Sequence, residues 1–375
     1  MNSIERVRRL VRGEDVDRLP VQPMGMMFAA RHAGIPYIDY TRDGRKMAEA
    51  QLRFAEDFGI DCLLTCSDPA REVIDIAGEG SVDWFVDQGP AINEDRAALV
   101  EKERLRTFRL PDPTGGGRMH DRVRSIELMR RRAGPGLSIV GWIEGPLALA
   151  AELRGLNTIM LDFGDDPAFV RDLLAFCADV ALAYAPAQIA AGADTIGMSD
   201  AAAGLIGPTL YAEFLWPEQQ RVLSTLRERH PDVLLRQHMC GRIDPLYRKM
   251  AELPVDIYEI DFPASFERAR SELGARRVLA GNVSTITDLL QGSPDQVYEA
   301  CRRCHDIAGR YHIVGAGCEL SPFTPAANLH AMVAYARDHR PDGTRSAATP
   351  AAAAVDARTA HLPSGSCASA GARLE

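Results

Sequence analysis

The sequence predicts an α/β protein folded as a (β/α)8 TIM barrel, and three observations carry that prediction. Short β-branched and leucine-rich runs alternate with segments of helical periodicity along most of the chain. There are roughly eight such runs, near residues 20, 63, 140, 196, 235, 258, 279 and 313. Polar, chemically able residues recur just where the runs end: Asp68, Glu144, Asp200, His238, Asp261, Asn282 and Cys318. In a closed barrel these ends converge on one mouth. In the alternative, a doubly wound open sheet, they would be spread along an edge.

In order, residues 2–12 read as a helix, and Arg18 to Met24 as a proline-bounded first strand. Gly44 to Phe58 carries Met47, Phe54, Ala55 and Phe58 at helical spacing and stops at Gly59. Asp61 to Cys66 is the second strand. Residues 79–118 are irregular, with a strand-like piece from Val82 to Val86, and read as an excursion. From residue 119 the alternation is regular. Helices are expected at 119–133, 146–154, 156–162, 167–190, 208–229, 244–252, 264–273, 285–290, 294–308 and 325–339. Residues 1–340 are expected to form the barrel, and the Ala/Ser/Gly/Pro-rich stretch 341–375 a disordered tail in which Cys367 is inert.

Composition narrows the function. With 46% hydrophobic and 25% charged residues the chain can bury a large core. A net charge of −9 gives no electrostatic reason to expect nucleic acid or anionic membrane as a partner. The cluster Arg130-Arg131-Arg132 reads as a solvated helix end. The N-terminus lacks the apolar core of a signal peptide, and no run approaches the roughly 20 apolar residues of a membrane span. A cytoplasmic protein is expected, so the eight cysteines read as core fillers, reactive thiols or metal ligands, not as a disulfide framework.

The chemistry centres on His238-Met239-Cys240-Gly241 and on Gly315-Ala316-Gly317-Cys318-Glu319, each closing a predicted strand. Residues two apart on a strand share a face, so His238 and Cys240 can approach one ion. Cys318 would complete a two-thiolate, one-imidazole set with one position open, the pattern of a catalytic zinc. The bland reading is a buried core pair, which His-x-Cys serves equally well. Asp68, Glu144 and Asp200 are candidate acid/base or substrate-orienting groups, although carboxylates at strand ends also cap helices. Glu259, Asp261 and Glu319 are nearby candidates for a fourth ligand. Cys301-Arg302-Arg303-Cys304-His305 matches a haem-attachment pattern but falls inside a predicted helix, where small cysteines suit a buried face. No dinucleotide fingerprint, P-loop or cobalamin-module signature (Asp-x-His-x-x-Gly) occurs.

Together with Gly281-Asn282-Val283 and Gly317-Cys318-Glu319 through Thr324-Pro325-Ala326-Ala327-Asn328-Leu329, these motifs resemble the uroporphyrinogen decarboxylase superfamily. Within it, the chain is most similar to the zinc-dependent methylcobamide:thiol methyltransferases, over roughly residues 5–340. The resemblance implies zinc held by His238, Cys240 and Cys318, and a thiol acceptor activated by that metal. It also implies a corrinoid (cobalamin) methyl carrier, supplied on a separate protein or free because this chain has no corrinoid module. Two alternatives in the superfamily are a uroporphyrinogen-type decarboxylase and a component of a corrinoid-dependent O-demethylase; a third reading is a non-catalytic corrinoid-binding barrel. Ser67-Asp68 matches the decarboxylases' pyrrole-binding aspartate. The arginine-rich segment that grips their substrate's carboxylates is replaced here by Val21-Gln22-Pro23-Met24-Gly25-Met26-Met27-Phe28, which suits a more apolar guest.

Overall fold

The computed structural model describes residues 1–346. Its strands are β1 (Cys62–Leu64), β2 (Val82–Asp83), β3 (Ala91–Ile92), β4 (Ser138–Glu144), β5 (Thr195–Ser199), β6 (Leu234–Met239), β7 (Ile257–Ile260), β8 (Val278–Gly281) and β9 (His312–Ile313). Seven of them form one sheet in the order β1-β4-β5-β6-β7-β8-β9, every neighbour pair parallel. β2 and β3 pair antiparallel as a separate hairpin inside the irregular excursion.

The expected first strand is shortened to a single bridge. Val21 pairs in parallel with Val314, the Gln22 N–H donates to the Val314 carbonyl at 2.9 Å, and the Asp61 N–H donates to the Val21 carbonyl at 2.8 Å. These bonds place Pro20–Gln22 between β9 and β1 and close the (β/α)8 barrel. Pro20 and Pro23 lack the N–H that a longer ladder needs. Buried charge replaces it: Asp61 accepts the Val21 N–H at 2.9 Å and pairs with Arg6 and Arg18, each at 2.7 Å.

Alternation along the strands sorts the core into layers. Outward residues such as Leu63, Ile139, Ile143, Ile196, Leu235, Tyr258 and Leu279 pack with the surrounding helices. Inside the barrel, Leu234, Ile257, Val278, Ala280 and Ile313 meet Val7 and Leu10 of helix Ser3–Arg12, which plugs the N-terminal end. A second interior cluster holds Met24, Cys62, Leu64, Cys66, Val140 and Trp142. Two residues past Leu234 the same face of β6 presents Arg236, and two further on His238. Apolar packing thus gives way to polar groups as the chain climbs to the mouth.

The structure corrects several expectations. Helices Met27–His32, Tyr37–Arg42 and Ala70–Ala77 were not foreseen. The expected helix 208–229 is interrupted by a wider turn over Tyr211–Leu215 before Trp216–Arg229, where Pro217 has no N–H to continue the ladder. The helix Pro167–Ala190, 24 residues with mean hydropathy 1.6 in its most apolar window, is long and apolar enough to cross a membrane. Arg171, Asp172 and Asp179 interrupt it, so it is not a continuous apolar run, and here its buried face lies in the shell, packed on helices Pro146–Arg154 and Trp216–Arg229. Residues 341–346, assigned to the tail, turn back on the barrel: His339 bridges Arg345, and the Ser346 N–H donates to the Asp338 carbonyl at 2.8 Å. The rest of the tail assignment, 347–375 with Cys367, lies outside the described residues.

Candidate metal centre and barrel mouth

His238 stands on β6 in register with Glu259 on β7, and Cys240 follows where β6 ends. Cys318 arrives on the loop after β9. Gly317 makes that approach possible, because a Cβ there would lie 2.3 Å from the Phe262 nitrogen in the loop after β7. His238 Nε2 is 3.4 Å from Cys240 Sγ and 3.7 Å from Cys318 Sγ, and the three donor atoms all lie within 4.8 Å of one another. The edges of a zinc tetrahedron, with bonds of about 2.3 Å to sulfur and about 2.0 Å to nitrogen, span roughly 3.6 Å. The three side chains therefore fit such an ion by type and by spacing.

The opposite edge of the imidazole supports the same fit. His238 is 2% exposed, and its Nδ1 has no hydrogen-bond partner within normal reach. Glu259 Oε2 lies 3.6 Å from that nitrogen. Arg236 grips Glu259 with two nitrogens, one of them at 3.2 Å, and reaches Gln22 Oε1 at 3.0 Å. A histidine that ligates metal usually turns its other nitrogen toward a carboxylate in this way. Burial pulls the His238 pKa down, but the Cys318 thiol and the Glu259 charge outweigh it and lift the value to about 9. The Cys318 thiol is pushed far up, first by Cys240 beside it and then by burial.

The candidate fourth ligands are engaged elsewhere. Glu259 stands behind the ring. Asp261 accepts the Gly241 N–H at 2.7 Å and the Phe262 N–H at 2.8 Å with its two oxygens. Glu319 accepts the Met27 N–H at 2.8 Å, and burial raises its pKa to about 7. None of them belongs to the three-donor group found among the described residues.

Asp68, Glu144 and Asp200 fall on the β1–β4–β5 flank. Asp68 is held by Arg118 at 2.7 and 2.9 Å, accepts the Ala70 N–H at 3.1 Å, and receives the Ser67 hydroxyl. Burial works to raise its pKa, yet Arg118 keeps it well below the carboxylate range. Glu144 receives Arg71 at 3.1 Å; burial, reinforced by Glu72, raises its pKa to about 8 against the pull of Arg71. Asp200 is fully buried and accepts the Ala148 N–H and Gln219 Nε2, both at 2.8 Å. Burial lifts it to about 7. Asp200 thus secures the first turn of helix Pro146–Arg154, the capping role open to any strand-end carboxylate. Cys301, Cys304 and His305 are buried in helix Pro294–Ala308, in keeping with the core reading of that motif.

Sequence reading named Asp68, Glu144 and Glu259 but missed the arginines that hold them. Arg236 carried a signal, two residues before His238 on the same strand face. Arg71 and Arg118 carried none, since one lies in an unforeseen helix and the other ends the irregular excursion.

Fold and mouth together define a closed (β/α)8 barrel whose strand ends bring together, among the described residues, a soft donor set able to hold a metal beside a charged wall. The chain belongs to the uroporphyrinogen decarboxylase (URO-D) family, whose model matches residues 2–339. A methylcobamide:CoM methyltransferase of Methanosarcina mazei is 27% identical over 343 residues, covering 90% of this chain and 98% of that relative. A uroporphyrinogen decarboxylase of Nostoc sp. is 28% identical over 338 residues, covering 86% and 93%. Among solved structures, a methyltransferase from Methanosarcina mazei superposes with a TM-score of 0.80 at 23% identity, covering 89% of this chain and 98% of that one. That likeness supports the barrel.

Proposed function

We propose that this protein is a cytoplasmic zinc-dependent corrinoid methyltransferase, moving a methyl group between a methylcorrinoid and a thiol or other small acceptor. The observation that carries the reading is the convergence of His238, Cys240 and Cys318 at tetrahedral spacing on a barrel mouth. Relatives named as methylcobamide:CoM methyltransferases, matched over almost their whole length, supply the methyl-transfer chemistry. Bound to the three donors, zinc would lower the pKa of an acceptor thiol and hold it as a nucleophile at neutral pH.

The chain's own residues do the rest. Glu259, backed by Arg236 and Gln22, keeps the His238 ring turned with Nε2 toward the cysteines. Met24, Cys66 and Trp142 give the barrel interior beneath the mouth an apolar lining that excludes water. Glu144, with its pKa near 8, is able to exchange a proton at its carboxyl oxygen as a thiol binds. Asp68 and Asp200 position the loops after β1 and β4 that would meet the substrate. The corrinoid is expected on a partner protein or as free cofactor.

The decarboxylase reading fares less well on a specific contact. Asp68 would have to hold pyrrole nitrogens, but its side chain is completely buried and committed to Arg118. The methyltransferase reading is tested by metal analysis of the purified protein and by methylcobalamin consumption with a panel of small thiols. Zinc near one per chain, and its loss in Cys318→Ala, are expected. Protein that purifies without zinc, or methylcobalamin untouched by every thiol, would sink it. Product analysis with uroporphyrinogen decides the rival.

A further inference from the structure

A second feature of the mouth is used by none of this chemistry. Beside the β1–β4–β5 flank lies a cavity of about 310 Å³, at the small end of ligand sites. Its walls are Pro69, Ala148, Ala151, Leu156, Ala202 and Leu205, supplied by segments that follow β1, β4 and β5. Glu152 also lines it, with one carboxyl oxygen fully buried and without a hydrogen-bond partner. Glu94 stands at the rim, its oxygens taken by the backbone and side chain of Asn157, each at 3.0 Å. No lysine or arginine lines the space.

The charge inventory around Glu152 does not balance. Glu72 and Glu144 are its acidic neighbours; Arg71 pairs with Glu144 at 3.1 Å and with Glu72 at 3.6 Å, and no ion pair reaches Glu152 among the described residues. The other nearby guanidinium, Arg118, is committed to Asp68. Glu72 Oε2 and Arg71 Nε, neither with a hydrogen bond, lie 3.6 Å apart as an ion pair. Glu152 is therefore left without a cation of its own, in a setting where like charges and burial both resist ionisation. The cluster is completed either by protons or by a cation. A metal ion is a poor candidate, because it needs several converging oxygens; among the described residues His238, Cys240 and Cys318 are the set close enough together to hold one. An apolar wall with Glu152 in it and Glu94 at its rim suits a cation that carries its own alkyl coat.

We propose that this cavity binds a small organic cation bearing alkyl groups, its charge set against Glu152 and its alkyl groups against Ala148, Ala151, Leu156 and Leu205. The binding needs no metal and does not rest on the methyltransferase reading. Burial and the neighbouring carboxylates raise the Glu152 pKa well above its usual value, and a cation set against it draws that pKa back down, so binding is linked to proton release. Affinity therefore rises with pH below the free pKa of Glu152. The other groups facing it are Glu72, Arg71 and Asp68 from the β1 side, Glu144 from β4, Glu94 from the rim, and Cys177 from helix Pro167–Ala190.

Calorimetry on the full chain tests this with three probes of one shape: choline, its neutral isostere 3,3-dimethylbutan-1-ol, and the anion 3,3-dimethylbutanoate. Choline is expected to bind at least tenfold tighter than the alcohol and the anion not at all. Its affinity should rise with pH, with proton release seen by comparing buffers of different ionisation enthalpy. Glu152→Gln should remove the preference for choline while leaving alcohol binding unchanged. Ala201→Phe, at an exposed wall position, should block both choline and the alcohol, and it decides the matter if Glu152→Gln does not fold. The proposal is overturned if choline fails to bind, if the alcohol binds as well as choline, or if binding survives both substitutions.

Discussion

The two flanks of the barrel mouth differ in how their polar groups are satisfied. On the flank formed by β6, β7 and the loop after β9, three soft donors lie within 4.8 Å of one another, and the counter-charge, Glu259, sits behind them. On the β1–β4–β5 flank charge is plentiful and mostly committed: Asp68 to Arg118, Asp200 to Ala148 and Gln219. Matched groups hold loops in place, whereas groups turned toward one another with few other partners are free to take a ligand. The position of a carboxylate at a strand end is therefore less informative than what its oxygens already do.

Breaking the soft flank should give the largest effect. Cys318→Ala leaves two donors, and the expected outcome is zinc content below about a tenth of wild type, with methyl transfer lost in step. Metal analysis beside the assay checks this; full zinc occupancy in the variant would remove Cys318 from the set. On the hard flank, Arg118→Ala strands a fully buried Asp68 charge and should cost about 3–5 kcal/mol in denaturant unfolding. The sign with pH follows from the depressed Asp68 pKa. The stability it contributes is present above the unfolded value of about 3.9 and is lost as pH falls through the folded value. The variant should lose this part of the acid dependence.

The support behind the soft flank should matter less than its ligands. Glu259→Gln keeps the shape but removes the charge beside Nδ1, and metal affinity measured against a chelator should fall about 10–100-fold. An unchanged affinity would make Glu259 a partner of Arg236 alone. The smallest effect is expected at Asp200→Asn. With the folded pKa at about 7 and the unfolded one at about 3.9, the folded state holds its proton longer, so this group's contribution falls as pH rises between the two. The amide preserves the helix contact without that slope, and stability near pH 4, where folded Asp200 still holds its proton, should change by less than about 1 kcal/mol. A much larger loss would mean that Asp200 acts as an anion, and the contrast between the flanks would narrow.

Local pattern determined a good deal of this. The alternation of β-branched runs and helical periodicity gave seven barrel strands close to where they lie, because each run must bury a face and each helix must cover one. It also singled out His238, Cys240 and Cys318, since side-chain type and a strand end are visible in the chain. Only tertiary structure decided the rest. Closure at Val21 depends on Asp61, Arg6 and Arg18 meeting at the base, and no local pattern encodes a three-way charge contact. That Glu259 backs the ring and does not face the donors follows from the β6–β7 register, which pairs it with His238. That Asp68 and Asp200 are committed follows from partners 50 and 19 residues away in sequence, Arg118 and Gln219. Residue type can nominate a ligand or an acid, but which of its lone pairs is still free is settled by neighbours that the fold brings in from elsewhere in the chain.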